Sequence, residues 1–261
     1  MTAARPEPVA RATPHLSFSR LSRYLHCPEQ YRLYYVENLR PKVPPATLVF
    51  GQIVHQALAR LFQSGEDPVS LFGETWEATK QVALTYGTRD SWERLDGIGE
   101  VLLARFVADE LPKLGTVGAV EKPFQLDVTS LDLPLVGVVD LVAVLDGKRT
   151  VIDFKTASAR YDEHEAELSD QLTAYQLAEP TAEQAALCVL VKTKEPRIEW
   201  HLTSRTERHL SEFLTKAALL GRRIAEGEFY KRPGLWCAWC DYLPVCTGDT
   251  VRAAETLVRV R

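Results

Sequence analysis

The stretch Val136-Gly-Val-Val-Asp-Leu-Val-Ala-Val-Leu145, followed by Asp146-Gly-Lys-Arg149 and then Thr150-Val-Ile-Asp-Phe-Lys-Thr156, is typical of two β-strands joined by a tight turn. Each strand is apolar on both sides, which predicts burial on both faces of a sheet. Each nevertheless carries a carboxylate in its middle, and the second adds a lysine. Burying charged groups is costly unless they are paired or bind a metal. The hairpin therefore predicts both the core of the fold and its functional site.

The position of the turn decides which side chains share a face. A turn centred on Asp146-Gly147 places Asp140 opposite Asp153, and one centred on Gly147-Lys148 places it opposite Lys155. Side chains alternate between faces with a period of two. In either register the two carboxylates and the lysine lie on the same face of the sheet.

Two adjacent carboxylates repel each other, and one retains its proton unless a cation lies between them. Oxygen ligands of this kind suit Mg²⁺ or Mn²⁺. With Lys155 beside the ion, the set is suited to metal-assisted hydrolysis of a phosphodiester. The alternative is a buried Asp-Lys ion pair with a second, hydrogen-bonded aspartate.

Four other polar side chains are candidates for the same site. His55 lies at the edge of the apolar stripe of an amphipathic helix, either as a metal ligand or as a core histidine. Gln171 and Tyr175 lie one helical turn apart and share a face, as solvated polar pairs also do. Glu121 opens the strand that leads to the hairpin, either as a third ligand or as a solvated strand end.

The order of these elements resembles a nuclease family. His55, Gly137-x-x-Asp140, Asp153-x-Lys155 and Gln171-x-x-x-Tyr175 are similar to the motifs of the PD-(D/E)XK nuclease superfamily, in particular its RecB-like branch with Cas4-like and exonuclease 5-like nucleases. The resemblance implies a restriction-endonuclease-like α/β core with a central mixed sheet flanked by helices. It also implies that Asp140, Asp153, His55 and the backbone carbonyl of Phe154 bind the metal and that Lys155 is catalytic. Asp at the first position of D-x-K, where many relatives have Glu, is an accepted variant.

Four of the five cysteines form a second pattern. Cys188 lies in an apolar strand and is predicted to be a core residue, whereas Cys237-Ala-Trp-Cys240 and Cys246 cluster near the C-terminus and Cys27 lies far upstream. Nothing resembles a signal peptide, so we expect a cytoplasmic, reducing setting without disulfides. Four thiolates suit either tetrahedral zinc or a [4Fe-4S] cluster. The resemblance to iron–sulfur nucleases favours a structural [4Fe-4S] cluster that joins the first helix to the last loop.

The 261 residues, 46% hydrophobic and 25% charged, have an ordinary globular composition. We expect a disordered arm over 1–15, a nuclease domain over 16–250 and a helical tail over 251–261. Within the domain, 64–114 is expected to be a helical insertion, and 233–248 the cysteine loop. No segment is long and apolar enough to cross a membrane.

Hydrophobic periodicity and turn residues predict the order of the elements. Helices are expected near 19–38, 48–63, 68–86, 92–112, 166–178 and 204–226. Strands are expected near 118–128, 135–145, 150–156, 186–193 and 197–203.

A net charge of −4 is not typical of a nonspecific duplex binder, so nucleic-acid binding would depend on local patches. Basic candidates are Arg20, Arg23, Arg32, Lys192, Lys194, Arg222, Arg223, Lys231 and Arg232. Aromatic candidates are Tyr24, Tyr31, Tyr34, Tyr230, Trp236 and Trp239. The mixture suits a single strand, whose bases stack while its phosphates are neutralised. The alternative is a solvated charged face with the aromatic rings in the core.

The sequence therefore predicts a metal-dependent DNA nuclease, acting as an exonuclease on single strands or ends in repair or recombination. Alternatives are a Cas4-like nuclease of CRISPR adaptation, an inactive DNA-binding scaffold subunit and a zinc-stapled adaptor. No Walker P-loop is present, so we expect any helicase motor to belong to a partner. A helicase and a CRISPR adaptation complex are both candidate partners.

Overall fold

The computed structural model describes residues 15–128, 131, 133–162 and 164–260, and these form an α/β fold. The strands in the described part are β1 (Leu39–Pro41), β2 (Leu114–Leu126), β3 (Leu135–Leu145), β4 (Lys148–Ala157), β5 (Gln184–Val191), β6 (Arg197–Thr203) and β7 (Leu257–Arg259). The α-helices are α1 (Phe18–His26), α2 (Pro28–Tyr31), α3 (Ala46–Ser64), α4 (Pro68–Glu77), α5 (Trp92–Arg105), α6 (Asp170–Ala178), α7 (Glu207–Ala225), α8 (Leu243–Thr247) and α9 (Thr250–Thr256).

The central sheet is mixed and has the order β2-β3-β4-β5-β6. Its strands pair antiparallel except for β4 and β5, which are parallel. Parallel neighbours need a crossover connection, and α6 lies in that connection. The crossover brings α6 onto the sheet, where Tyr175 packs with Val151 and Leu187. The predicted mixed sheet flanked by helices is confirmed.

The β3–β4 hairpin turns at Asp146 and Gly147, the first of the two predicted registers. Their φ angles of 52° and 76° are both positive, as a two-residue type I′ turn requires. Leu141 pairs with Ile152 in the resulting ladder. One step further along the same alignment, Asp140 lies across from Asp153, so the turn itself brings the two carboxylates together.

The glycine of the G-x-x-D motif leaves room for an aromatic ring. Gly137 pairs with Phe124 of β2, and a Cβ built on Gly137 would lie 2.6 Å from that ring. The Phe124 ring in turn packs edge-on against Tyr175, with ring centres 6.2 Å apart. The glycine therefore lets β2 support a ring that contacts the candidate site.

The opposite face of the sheet is covered by α3, α4 and α5, which share one apolar cluster with β3, β4 and β5. Close packing of α4 on α5 needs Gly99, because a Cβ there would lie 2.1 Å from Phe72. The helices α4 and α5 fall within 64–114, where a helical insertion was expected. The helix predicted over 68–86 is shorter than expected, because α4 ends at Glu77.

Both chain ends depart from the predicted helices. The helix expected over 19–38 is broken at Cys27, whose extended φ and ψ of −160° and 114° are favoured before Pro28. The tail over 251–261 is not wholly helical, since β7 follows α9 and pairs with β1. These non-local hydrogen bonds are not visible in local periodicity. The arm predicted over 1–15 lies, apart from residue 15, outside the described residues.

Within the described part of the chain, we find no helix with the length and apolar character that a membrane span requires.

Candidate active site

Asp153 lies at the centre of the site, in the middle of β4, and is only 1% exposed. Its Oδ1 accepts hydrogen bonds from Gln171 Nε2 at 2.7 Å and from the Tyr175 hydroxyl at 3.2 Å. Its Oδ2 lies 2.7 Å from Lys155 Nζ and forms an ion pair with that ammonium. Both oxygens of this buried carboxylate therefore have polar partners.

Lys155 shares the face of Asp153, as period-two alternation predicts. Its ammonium donates to Gln171 Oε1 at 2.7 Å, so the amide of Gln171 bridges the lysine and the aspartate. Burial alone would lower the pKa of Lys155. The neighbouring carboxylate of Asp153 outweighs burial and raises this pKa, so the side chain stays an ammonium.

Gln171 and Tyr175 reach the site from α6, whose N-terminus is capped by the Ser169 side chain. Gln171 Nε2 also donates to the Tyr175 hydroxyl at 2.8 Å. Burial, followed by the nearby Asp153, raises the pKa of the Tyr175 hydroxyl. The phenol therefore stays protonated and remains a donor to Asp153.

Asp140 lies beside this network on β3. Its Oδ2 accepts a hydrogen bond from the Phe154 backbone N–H at 2.9 Å and lies 3.4 Å from His55 Nδ1. Burial and the nearby carboxylate of Asp153 raise the pKa of Asp140 to about 8. Without a cation, this carboxyl holds its proton at neutral pH.

His55 projects from α3 towards β3 and β4, and its ring packs edge-on against Phe154. Burial lowers the pKa of His55 despite the opposing effects of the Asp153 carboxylate and the Phe154 backbone. The imidazole is therefore neutral, the form that binds metal ions.

Glu121 lies on β2 between the pairs Val120–Leu141 and Lys122–Val139, which places it across from Asp140. Its φ of 47° is unusual for a residue other than glycine, and such strain is concentrated at functional sites. Partial burial raises its pKa. The strand predicted near 118–128 corresponds to β2, and it places Glu121 beside Asp140 as a third carboxyl group.

These groups border an open cavity of about 850 Å³. One end, called the metal end because the candidate metal ligands lie there, is lined by His55, Glu121, Asp140 and Lys155. The far wall of the cavity is the exposed face of α3. A divalent cation fits the donor set, because three carboxyl groups lie beside a single ammonium and the Asp140 carboxyl keeps its proton without a further cation. As placed, however, no three His, Cys, Asp or Glu side chains of the described residues converge into a metal-binding group.

Several residues that were expected to bind nucleic acid instead contact other residues of the protein. The guanidinium groups of Arg20 and Arg23 lie 4.4 Å and 3.8 Å from the ring centres of Tyr35 and Tyr34. Tyr24 is only 2% exposed. A buried ring has no face on which a base could stack, so the expectation for Tyr24 is wrong. Tyrosine and arginine instead build the packing around α1.

Arg32 and Lys192 are also poorly placed for phosphate binding. Arg32 pairs with Glu29 and Glu37 at 2.8 Å and 2.9 Å. Lys192 is 8% exposed, its ammonium lies over the Phe50 ring, and burial lowers its pKa. The basic candidates that remain exposed are Lys194, Arg222, Arg223, Lys231 and Arg232.

Cys27, Cys237, Cys240 and Cys246 line one cavity of about 260 Å³, although about 210 residues separate the first from the others. None of the four takes part in a disulfide. Burial raises the pKa of Cys240 and Cys246, so these thiols keep their protons unless a metal ion displaces them. Cys188 is buried in β5, as predicted.

Hydrogen bonds join the two cysteine-bearing segments directly. The Glu29 backbone N–H donates to the Tyr230 carbonyl at 3.0 Å, and Gln30 Nε2 donates to Cys240 Sγ at 3.7 Å. Arg232 Nη1 donates to the His26 carbonyl at 3.4 Å. The first helices and the last loop are thus in contact through protein groups alone.

Sequence reasoning missed the polar residues of α3 that line the active-site cavity, namely Gln52, Gln56, Arg60 and Gln63. A signal was present, because α3 contains no acidic residue. It also missed Arg205, which contacts the start of α6 through three hydrogen bonds. No local pattern marks such a residue.

Comparison with known proteins agrees with this geometry. The model of the PD-(D/E)XK nuclease superfamily matches residues 15–247. A crystal structure of a protein from Eubacterium rectale, provisionally named an exonuclease, is similar with a TM-score of 0.56 at 15% identity, covering 90% of this chain and 88% of the other. The crystal structure of SSO0001 has a TM-score of 0.43 at 17% identity, covering 92% of this chain and 89% of the other. No curated protein sequence matches the chain.

The structural likeness supports the fold, and the family match spans most of the chain together with all the motif residues described above. PD-(D/E)XK nucleases are hydrolases that use divalent metal ions and bind nucleic acid. This chain belongs to the PD-(D/E)XK nuclease superfamily.

Proposed function

We propose that this nuclease is a Mg²⁺- or Mn²⁺-dependent deoxyribonuclease that acts as an exonuclease on single-stranded DNA or DNA ends, in repair or recombination. The observation that carries the proposal is the hydrogen-bonded set of Asp153, Lys155, Gln171 and Tyr175 beside Asp140. The fold shared with a provisionally named exonuclease supports the mode of cleavage.

The metal ligands proposed are Asp140, Asp153, His55 and the Phe154 carbonyl, with Glu121 as a further ligand. When bound, the ion supplies a water of lowered pKa and screens the phosphate charge. The neutral His55 and the two carboxylates suit Mn²⁺ well and Mg²⁺ adequately. Binding at this site removes the proton that Asp140 otherwise retains.

Lys155 acts as an ammonium rather than as a base, because the neighbouring carboxylate of Asp153 raises its pKa. An ammonium at this position stabilises the negative charge that develops on the phosphate as water adds and the ester oxygen leaves. Gln171 holds the ammonium through its carbonyl and the Asp153 carboxylate through its amide nitrogen. Tyr175 fixes the same carboxylate oxygen, so the geometry is preorganised.

We further propose that Cys27, Cys237, Cys240 and Cys246 bind a structural [4Fe-4S] cluster, with zinc as the alternative. Their shared cavity and the contact between their segments support a common metal. Four thiolates satisfy either metal. Helicases and CRISPR adaptation complexes remain candidate partners, and a Cas4-like role in adaptation is the alternative setting for the same chemistry.

The proposal is tested by digesting 5′- and 3′-labelled single- and double-stranded DNA with Mg²⁺, Mn²⁺ or EDTA. We expect metal-dependent cleavage, and Lys155→Ala and Asp153→Ala each to lower the rate by about 10²- to 10³-fold, because each removes a preorganised charge. Lys148→Ala is the matched control, since Lys148 is exposed at the start of the same strand.

Equal cleavage by wild type and both site variants would show that the site is wrongly assigned. Tight DNA binding without cleavage in any divalent metal would favour the inactive scaffold subunit. The distribution of labelled products over time distinguishes stepwise removal of nucleotides from internal cuts.

A further inference from the structure

The solvent-facing side of α3 has an unusual composition. Its exposed residues that line the active-site cavity are Leu48, Gln52, Gln56, Arg60 and Gln63. The helix is 19 residues long and contains no carboxylate. At the average of the whole chain, 35 acidic residues in 261, a helix of this length would carry about two or three.

The polar groups of this face have no partners within the described part of the chain. Neither the Arg60 guanidinium nor the amides of Gln52, Gln56 and Gln63 take part in a hydrogen bond or ion pair there. Solvated helix faces usually carry charged pairs four residues apart. On this face Gln52 and Gln56 lie four residues apart, and so do Gln56 and Arg60. Neither pair consists of opposite charges.

The face is continuous with the catalytic groups. His55 lies on the same helix, and the α3 face and His55 line the same cavity of about 850 Å³. The carboxylates that line this cavity, Glu121 and Asp140, belong to the metal end. The residues of this face, from Leu48 to Gln63, span roughly 22 Å along the helix axis. A polyanion that leaves the metal end along α3 would meet amides and one cation but no carboxylate.

We propose that this face of α3, defined by Gln52, Gln56, Arg60 and Gln63, binds a single strand of nucleic acid adjacent to the cleaved bond. The inference rests on the proposed function. An amide has both donors and an acceptor, which suits the edges of unpaired bases, and only a single strand exposes its Watson–Crick edges. Arg60 binds a phosphate, and the glutamines contact bases or sugars.

The two kinds of contact predict different salt dependence. A phosphate contact releases a counterion and contributes about 0.7 to the slope of log affinity against log salt for a single strand, whereas an amide–base contact contributes none. We expect Arg60→Gln to weaken binding of an oligodeoxythymidine strand and to lower this slope by about 0.7. Gln56→Ala is expected to weaken binding of a mixed-sequence strand with the slope unchanged.

Binding is measured by fluorescence anisotropy in Ca²⁺ with the full chain carrying Lys155→Ala, over a series of KCl concentrations. Arg252→Gln is the matched control, because Arg252 is exposed on α9 and does not line this cavity. Circular dichroism confirms that each variant is folded. Unchanged affinity in both α3 variants would overturn the proposal, as would a larger loss of blunt-duplex binding than of single-strand binding.

The outcome is separable from that of the proposed function, because binding is measured with cleavage blocked. A chain that binds through α3 but never cuts would contradict the catalytic assignment and support the α3 surface. A chain that cuts, but whose α3 variants bind like the control, would contradict the α3 surface alone.

Discussion

At the scale of single residues, the site contains ionisable side chains whose pKa values are shifted by burial and by one another. Asp140 and Asp153 lie across from each other on neighbouring strands, and Lys155 compensates Asp153 more directly than Asp140. The groups facing Asp140 are His55, Asp153, Lys155 and Glu121. The chain has therefore kept a carboxyl whose ionisation is unfavourable unless a cation arrives.

The first prediction concerns the metal-free protein. The pKa of Asp140 rises from 3.8 to about 8 on folding. The folded chain thus keeps a proton that the unfolded chain loses, so this contribution to stability is complete below 3.8 and is lost as the pH rises towards 8. Asp140→Asn cannot ionise and should abolish this loss.

The measurement is the melting temperature in EDTA across this pH interval. We expect wild type to lose stability relative to Asp140→Asn as the pH rises, with the exposed Asp109→Asn behaving like wild type. Saturating Mn²⁺ should remove much of the loss in wild type, since the cation replaces the proton. Parallel curves for wild type and Asp140→Asn in EDTA would contradict the raised pKa.

At the scale of elements, α6 is positioned by a residue outside it. Arg205, which follows β6, donates to Thr173 Oγ1 at 2.8 Å and to the carbonyls of Ala166 and Ser169 at 2.7 Å and 2.9 Å. Gln171 lies in the helical turn that these bonds hold. Because Gln171 bridges Lys155 and Asp153, the orientation of α6 decides the geometry of the site.

We therefore expect Arg205→Gln to lower kcat by about 10- to 100-fold, as changes behind directly acting groups commonly do. Arg205→Gln combined with Gln171→Ala should be no slower than Gln171→Ala alone, since both act through the same amide. Arg208→Gln is the control, because Arg208 is exposed on α7 and pairs with Glu212 at 2.7 Å, away from α6. Additive losses, or an equal loss of kcat in the control, would contradict this role.

At the scale of the whole molecule, segments that are far apart in the described sequence contact each other. β1 pairs with β7, and the cysteine cavity joins residues about 210 positions apart. A link over so many residues removes much conformational freedom from the unfolded chain. A metal at the cysteines would therefore stabilise the entire domain rather than one loop.

Replacing Cys27 tests this arrangement. Cys27→Ser should reduce the iron and acid-labile sulfide of anaerobically purified protein and lower its melting temperature, because one of four ligands is lost. Cys188→Ala, a change of the buried cysteine of β5, should keep the metal content. A full metal content in Cys27→Ser would exclude Cys27 as a ligand, and zinc in place of iron would establish the alternative metal.

The sequence by itself determined the hairpin and the candidate catalytic groups that share a face, and the structure selected one of the two registers that the sequence left open. The turn at Asp146-Gly147 and the period-two alternation of side chains each depend on a few neighbouring residues, so a short segment of sequence is enough to predict them. Tertiary structure alone decided that Arg205 holds α6, that Glu121 lies across from Asp140, that Tyr24 is buried and that α3 lines the cavity. Each of these depends on packing between segments far apart in the chain, which no local pattern encodes.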